Sequence, residues 1–156
     1  MKIILYLVGK TKTPYLQMAE HDFAKRIQRY CELEIITVKE EKVTRHKTEA
    51  AIKAAEAKRI IEKLDRNAKP IILESRGKHG TSEEFADYFK EGLDKGVDKF
   101  AFIIGGVLGL PDDFLSDSAT RLSLSRMTFT HEMCRVILLE QIYRAFTILR
   151  NEKYHK

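Results

Sequence analysis

The chain has 156 residues, of which 44% are hydrophobic and 33% charged, and it carries a formal net charge of +5. That length suits one ordinary domain with a real core, and the composition excludes a disordered chain. No apolar run approaches the length of a membrane span, and the basic balance favours an anionic partner such as nucleic acid, although many basic proteins bind none.

The opening "MKIILYLVGK" predicts a first strand over 2–8. It lacks a small-residue cleavage motif and so does not read as a signal peptide. Pro14 suits a helix start, and Leu16, Ala19, Phe23, Ile27 and Tyr30 follow at helical spacing. "LEIITV" (33–38) predicts a second strand, and the charged stretch "KEEKVTRHKTEA" (39–50) a solvated loop. Thr48 to Asn67 is rich in helix formers, and "PIILES" (70–75) predicts a third strand. Ser82 is an expected N-cap for a helix carrying Phe85, Ala86, Phe89 and Leu93, with Gly92 and Gly96 marking its end. "FAFIIGG" (100–106) predicts a fourth strand.

Strands alternating with helices imply a parallel sheet covered on both faces. No linker divides the chain and no repeat recurs, so the expectation is a single α/β domain over residues 1–156. Ligands of open α/β sheets bind beyond the carboxyl ends of the strands. The segments of interest are those after Leu73, after Ile104 and after residue 121. Cys31 and Cys134 have neither CxxC nor zinc spacing and read as buried thiols of a reducing compartment.

"IIGGVLGLPDD" sets Gly105, Gly106 and Gly109 straight after a buried strand. It matches neither GxGxxG nor the P-loop. Pro111 suits the first turn of a following helix, with Asp112 and Asp113 at its positive end. Those carboxylates would repel a phosphate, so the loop suits a neutral or cationic ligand. On spacing alone, a tight structural turn is the more economical reading.

The last helix is expected to be apolar on two sides. One face carries His131, Arg135, Leu138, Leu139, Ile142, Phe146 and Leu149; the other carries Val136, Ile137, Glu140, Arg144 and Ile148. Two apolar sides need two surfaces, the chain's own sheet and a second copy of the chain. Glu140 and Arg144 are spaced for an ion pair. His131 and Arg135 read either as a cluster that satisfies the helix start or as a site. The end "RNEKYHK" reads by default as a frayed tail.

Together, "IIGGVLGL", "LSRMTF", "HEMCRVILLEQIYRA", the terminal "YHK", "MKIILYLVGK" and "LESRGK" closely resemble the ribosomal RNA large-subunit methyltransferase H family. These are small SPOUT-class enzymes that methylate N3 of a pseudouridine in large-subunit (23S) ribosomal RNA. The resemblance spans the whole chain. It implies an α/β fold with a C-terminal trefoil knot, which ordinary topology rules argue against. It also implies a homodimer, S-adenosylmethionine as methyl donor, no metal, and a cytoplasmic, non-membrane protein that meets its RNA in the ribosome.

Carried over by matching positions, the donor site comprises Leu73, Gly105, Leu124, Ser125, Arg126, Met127, Thr128 and Phe129. The catalytic candidates are His131, Arg135 and His155, with either histidine as proton acceptor and Arg135 stabilising charge on the target ring. The RNA-binding candidates are Arg135, Tyr154, His155 and Lys156, and Tyr154 would position the target base. Arg26, Arg29, Lys42, Arg45, Lys47, Lys53 and Lys58 are candidates for gripping phosphates. Two positions depart from the family pattern: Val107 in the glycine loop, and Thr130, which can still N-cap the helix. The alternatives are a non-catalytic RNA- or ribosome-binding module, which need not keep donor affinity, and a related enzyme acting on another RNA.

Overall fold

A computed structural model describes residues 1–155. The elements in order are β1 (Lys2–Val8), α1 (Pro14–Ile27), β2 (Glu32–Val38), α2 (Glu49–Ile61), β3 (Lys69–Lys78), α3 (Ser82–Asp94), β4 (Lys99–Ile104), β5 (Thr120–Leu122) and α4 (His131–Leu149). They build one five-stranded sheet in the order β2-β1-β4-β3-β5, with every pairing parallel. The predicted α/β class is the one observed.

Alternation along β1 divides the core. Ile3, Leu5 and Leu7 face the layer formed by α1, α3 and α4, whereas Ile4, Tyr6 and Val8 face α2. Phe100 and Phe102 of β4 are fully buried and meet Phe89 of α3 at ring separations of 5.1 and 6.0 Å. Burial of each such ring contributes about 1.5–3 kcal/mol. On the α2 side, the Tyr6 hydroxyl donates to the Lys63 carbonyl and accepts from the Asp65 N–H, which fixes the turn that ends α2.

Several boundaries differ from the sequence expectation. Thr81, not Ser82, caps α3, because Thr81 and Glu84 close a reciprocal capping box. Gly92 lies inside α3, buried against Phe100, and only Gly96, at φ +80, stands beyond the helix end. α2 stops at Ile61, short of Asn67, and α1 stops before Tyr30. The segment after Pro111 forms turns and no helix: Leu115 takes a left-handed φ of 49, and Asp112 pairs with Arg76 at 2.5 Å.

The three-residue strand β5 was not foreseen. It pairs with β3 on either side of an irregularity between Leu73 and Lys78. Gly77 permits this, since a Cβ there would lie 2.5 Å from the Leu122 carbonyl carbon. Arg121 then bonds Glu74 at 2.6 Å and the carbonyls of Asp112 and Phe114 at 2.9 and 3.0 Å, fastening the turns after the glycine loop to the sheet edge.

On α4, Arg135, Leu138, Leu139, Ile142, Ala145, Phe146 and Thr147 are buried. Val136, Ile137, Glu140, Arg144 and Ile148, on the other face, are half-buried. Both cysteines are free and half-buried rather than fully enclosed, and burial pushes the Cys31 thiol up to about 11.

Candidate methyl-donor cleft and C-terminal cluster

The carboxyl ends of β3 and β4 open into a cleft of about 1020 Å³. Its floor is Leu73, Glu74 and the glycine loop from Gly105 to Leu110. Its opposite wall is the segment from Ser123 to Thr130, followed by the first turn of α4. Thr13, Tyr15 and Leu16 at the start of α1 form the rim, with Lys53 of α2.

Local bonds set these walls. Gly109, at φ +79, donates its N–H to the Gly106 carbonyl at 3.0 Å, which curls the loop back on itself. The Ser123 hydroxyl donates to the Ser125 carbonyl, and the Ser125 hydroxyl accepts from the Met127 N–H, both at 2.9 Å. Thr130 caps α4 by accepting the Met133 N–H, as expected. The result is an apolar slot with turned backbone at one end, bordered by the Glu74 and Asp112 carboxylates, which are paired with Arg121 and Arg76. Those apolar walls fit a ligand with a flat apolar part.

Of the predicted donor residues, Leu73, Gly105, Leu124, Ser125, Met127, Thr128 and Phe129 line this cleft, and Arg126 does not. Met127 is 75% exposed and Phe129 38%, so this wall is open on its outer side. Tyr15 and the β1–α1 rim were not singled out in the sequence; no motif marks them. Lys53, a phosphate candidate, borders the cleft.

His131 lines the cleft and is half-buried. Burial lowers its pKa below 6.5, the nearby Arg135 charge adds to this, and Glu132 and Glu40 oppose it. The imidazole is therefore neutral at physiological pH and able to accept a proton. Glu132 turns away to accept the N–H groups of Lys12 and Thr13 at 2.8 and 3.3 Å, holding the β1–α1 loop against α4.

Arg135 does not reach the cleft. It is 1% exposed, and its guanidinium donates to the Val8 carbonyl at 2.5 Å and to the Thr11 hydroxyl at 2.9 Å. Thr11 in turn donates to Glu20 at 2.5 Å. The helical stripe that carries Leu138, Leu139 and Ile142 inward carries Arg135 inward too. It supports the rim from beneath.

The tail is ordered onto the far side of α4. Tyr154 donates to Glu140 at 3.0 Å, and Arg144 donates to Glu140 through Nε at 3.0 Å and Nη2 at 2.5 Å. The predicted Glu140–Arg144 pair is thus formed, half-buried. The Arg144 guanidinium also stacks 4.8 Å from the Tyr154 ring centroid and lies 3.3 Å from His155 Nδ1, while His155 Nε2 meets Glu83 at 2.7 Å. Within one chain, then, His131 is in the cleft, Arg135 beneath it, and His155 and Tyr154 elsewhere. Lys156 lies outside the described residues. Among the phosphate candidates, Arg29, Lys42, Arg45 and Lys58 are exposed, whereas Lys47 pairs with Glu41 and Arg26 with Asp22. Among the described residues, no group of three or more His, Cys, Asp or Glu is placed to hold a metal, and no helix is long and apolar enough to cross a membrane.

Residues 1–155 match the family described as "Predicted SPOUT methyltransferase". The chain is 45% identical over 159 residues to the "Ribosomal RNA large subunit methyltransferase H" of Clostridioides difficile strain 630, covering 100% of each. It is 42% identical to the "Ribosomal RNA large subunit methyltransferase H 1" of Clostridium perfringens strain SM101, and 44% identical to the protein of the former name in Symbiobacterium thermophilum, again over 100% of both chains. With the cleft built from the glycine loop and the Leu124–Phe129 segment, the chain belongs to the SPOUT methyltransferase family, whose members take S-adenosylmethionine as methyl donor.

Proposed function

We propose that this protein methylates N3 of a pseudouridine in large-subunit (23S) ribosomal RNA, acting in the cytoplasm on the assembled ribosome, as a homodimer of one-domain chains with a knotted C-terminal half. The observation that carries the reading is the shared cleft of the glycine loop, the Leu124–Phe129 wall and a half-buried His131. The names of relatives that match along their full length point to the same substrate class.

When bound, the donor supplies a methyl group on a cationic sulfur. Leu73, Leu124 and Met127 would enclose its apolar ring, and the backbone of Gly105 and of Ser125 to Phe129 would bond its polar edge. Arg126, outside the cleft wall, would contribute its backbone position rather than its side chain. The N3–H of the target base is weakly acidic, and His131 is the group in the cleft able to take that proton, directly or through an ordered water. The anionic nitrogen then forms the new N–C bond as the C–S bond breaks. Holding the two reactants in line supplies much of the rate.

Exposed apolar groups support the dimer. Tyr15, Met18, Val107 and Met127 are 67 to 76% exposed, and three of them border the cleft. In such a dimer, Tyr154 and Lys156 from a second copy are proposed to engage the splayed base and its backbone. The deciding experiment is transfer of radiolabelled methyl to ribosomes that lack the modification, followed by nucleotide mapping. Label at N3 of one pseudouridine is expected. Donor binding without transfer would indicate a module without turnover, and label in transfer RNA would overturn the substrate.

A further inference from the structure

Glu56 sits on the inner face of α2 beside Ile52, Ala57 and Ile60, and is 3% exposed. A carboxyl group at such a position normally has partners for both oxygens. Here Oε1 accepts the Glu41 N–H at 2.9 Å, and Oε2 has no hydrogen-bond partner. What Oε2 faces is the glycine loop. A Cβ placed on Gly106 would lie 2.6 Å from Oε2 and 3.1 Å from Oε1. Gly106 therefore touches the carboxyl on one side and lines the cleft on the other. Glu41, whose N–H is held, collects Lys47 and Arg59 with its own side chain. One buried carboxyl thus joins the basic 39–48 segment to the wall of the cleft.

We propose that Glu56 is a positioning residue that fixes how far the glycine loop stands into the methyl-donor cleft and makes that loop and the 39–48 segment move together. The inference rests on the donor-cleft reading above. Interiors are close-packed, so a shorter side chain lets the loop recede, and a bulkier loop residue is driven into the cleft. Burial raises the pKa of Glu56, and Glu40 and Glu41 add to this against the Glu41 N–H bond and Arg59. Contacts to Lys42 or Arg45 would then alter donor affinity, and the donor would alter theirs equally.

The test is a double-mutant cycle on the full chain: wild type, Gly106→Ala, Glu56→Ala and the pair, with S-adenosylmethionine affinity read by calorimetry and folding by thermal melts. Gly106→Ala is expected to weaken donor binding about tenfold and Glu56→Ala about threefold, while the pair recovers to within about threefold of wild type. The recovery arises because the added methyl fills the space vacated by the carboxyl. Glu56→Gln keeps the volume and the acceptor for Glu41, so its donor KM and kcat stay within about twofold of wild type, whereas Glu56→Ala raises donor KM with kcat preserved. Additive effects in the cycle, or a Glu56→Gln as impaired as Glu56→Ala, overturn the proposal. If Glu56→Ala does not fold, Glu56→Asp takes its place in the cycle. A wild-type chain that binds no donor overturns the donor-cleft reading and this inference with it; a wild type that binds, with an additive cycle, overturns this inference alone.

Discussion

Arg135→Met separates a supporting role for this residue from a catalytic one. Methionine fills much of the same space but makes neither the bond to the Val8 carbonyl nor the bond to the Thr11 hydroxyl. Hydrogen bonds from a charged donor are worth about 1.5–3 kcal/mol each, so the gross loss is about 3–6 kcal/mol. Against it stands relief of a buried cation with no carboxylate in contact, worth a few kcal/mol. Two stranded acceptors dominate, and a net loss of about 3 kcal/mol is expected, or about 6–12 °C in Tm for a chain of this size. Because the β1–α1 loop leads into the start of α1, where Thr13 and Tyr15 stand at the cleft rim, donor affinity should fall with stability. The assay is thermal and urea unfolding beside calorimetry with S-adenosylmethionine. A variant that melts within about 1 °C of wild type and binds donor normally, yet transfers no methyl, would refute the supporting role.

Replacing His131 with alanine is expected to lower kcat about a hundredfold or more while donor affinity changes little; equal loss of both would make it a binding group. Its lowered pKa predicts a methylation rate that is flat between pH 7 and 8 and falls only below 6.5, and a pH profile with its inflection above 7 would contradict this. Phe89→Ala opens a void among Phe100, Phe102 and Phe146 and should cost about 3–5 kcal/mol in urea unfolding. Glu41 is held at about 2 by Lys47 first and Arg59 second, so its contribution to stability is present above about 4.5 and is lost as pH falls toward 2. Acid titration of Glu41→Gln should lack that part of the decline. In the proposed homodimer, pairing a His131→Ala chain with a chain truncated after residue 153 should leave one intact site per mixed dimer, about half of wild-type activity, if the tail acts in trans; complete inactivity would indicate that it acts in cis.

Much of this fold was legible because its signals are long and redundant. β1 and β4 are unbroken apolar runs, as strands covered on both faces must be. β5 was not legible: "TRL" has three residues and mixed polarity, and only its pairing with β3 makes it a strand. The helix expected after Pro111 followed cap chemistry alone, whereas Arg76, Arg121 and the left-handed Leu115 hold that segment in turns. The Thr81 cap is legible in "TSEE", where threonine and the glutamate three residues on form a capping box, but the adjacent Ser82 offers the same cap chemistry. The donor wall was recognisable from family motifs. The inward course of Arg135 was readable from its stripe with Leu138 and Ile142, but the chemical appeal of a charge beside a histidine pointed the other way. Glu56 carried no sequence signal, since a glutamate among lysines and alanines on a helix reads as solvated.

The bond from Arg135 to Val8 joins positions 127 apart in sequence, and α4 packs along α1. The first strand and its loop therefore acquire their final support only when the last helix has been made. While the chain is being synthesised, its N-terminal half is a sheet fragment with an uncovered face and an unsupported rim. Distant contacts of this kind slow folding, because the entropy of closing the whole chain is lost before the contacts are gained. Refolding should be slow and sensitive to any C-terminal deletion that reaches α4, and the cleft will form only in the final stage, with no donor affinity in partly made chains.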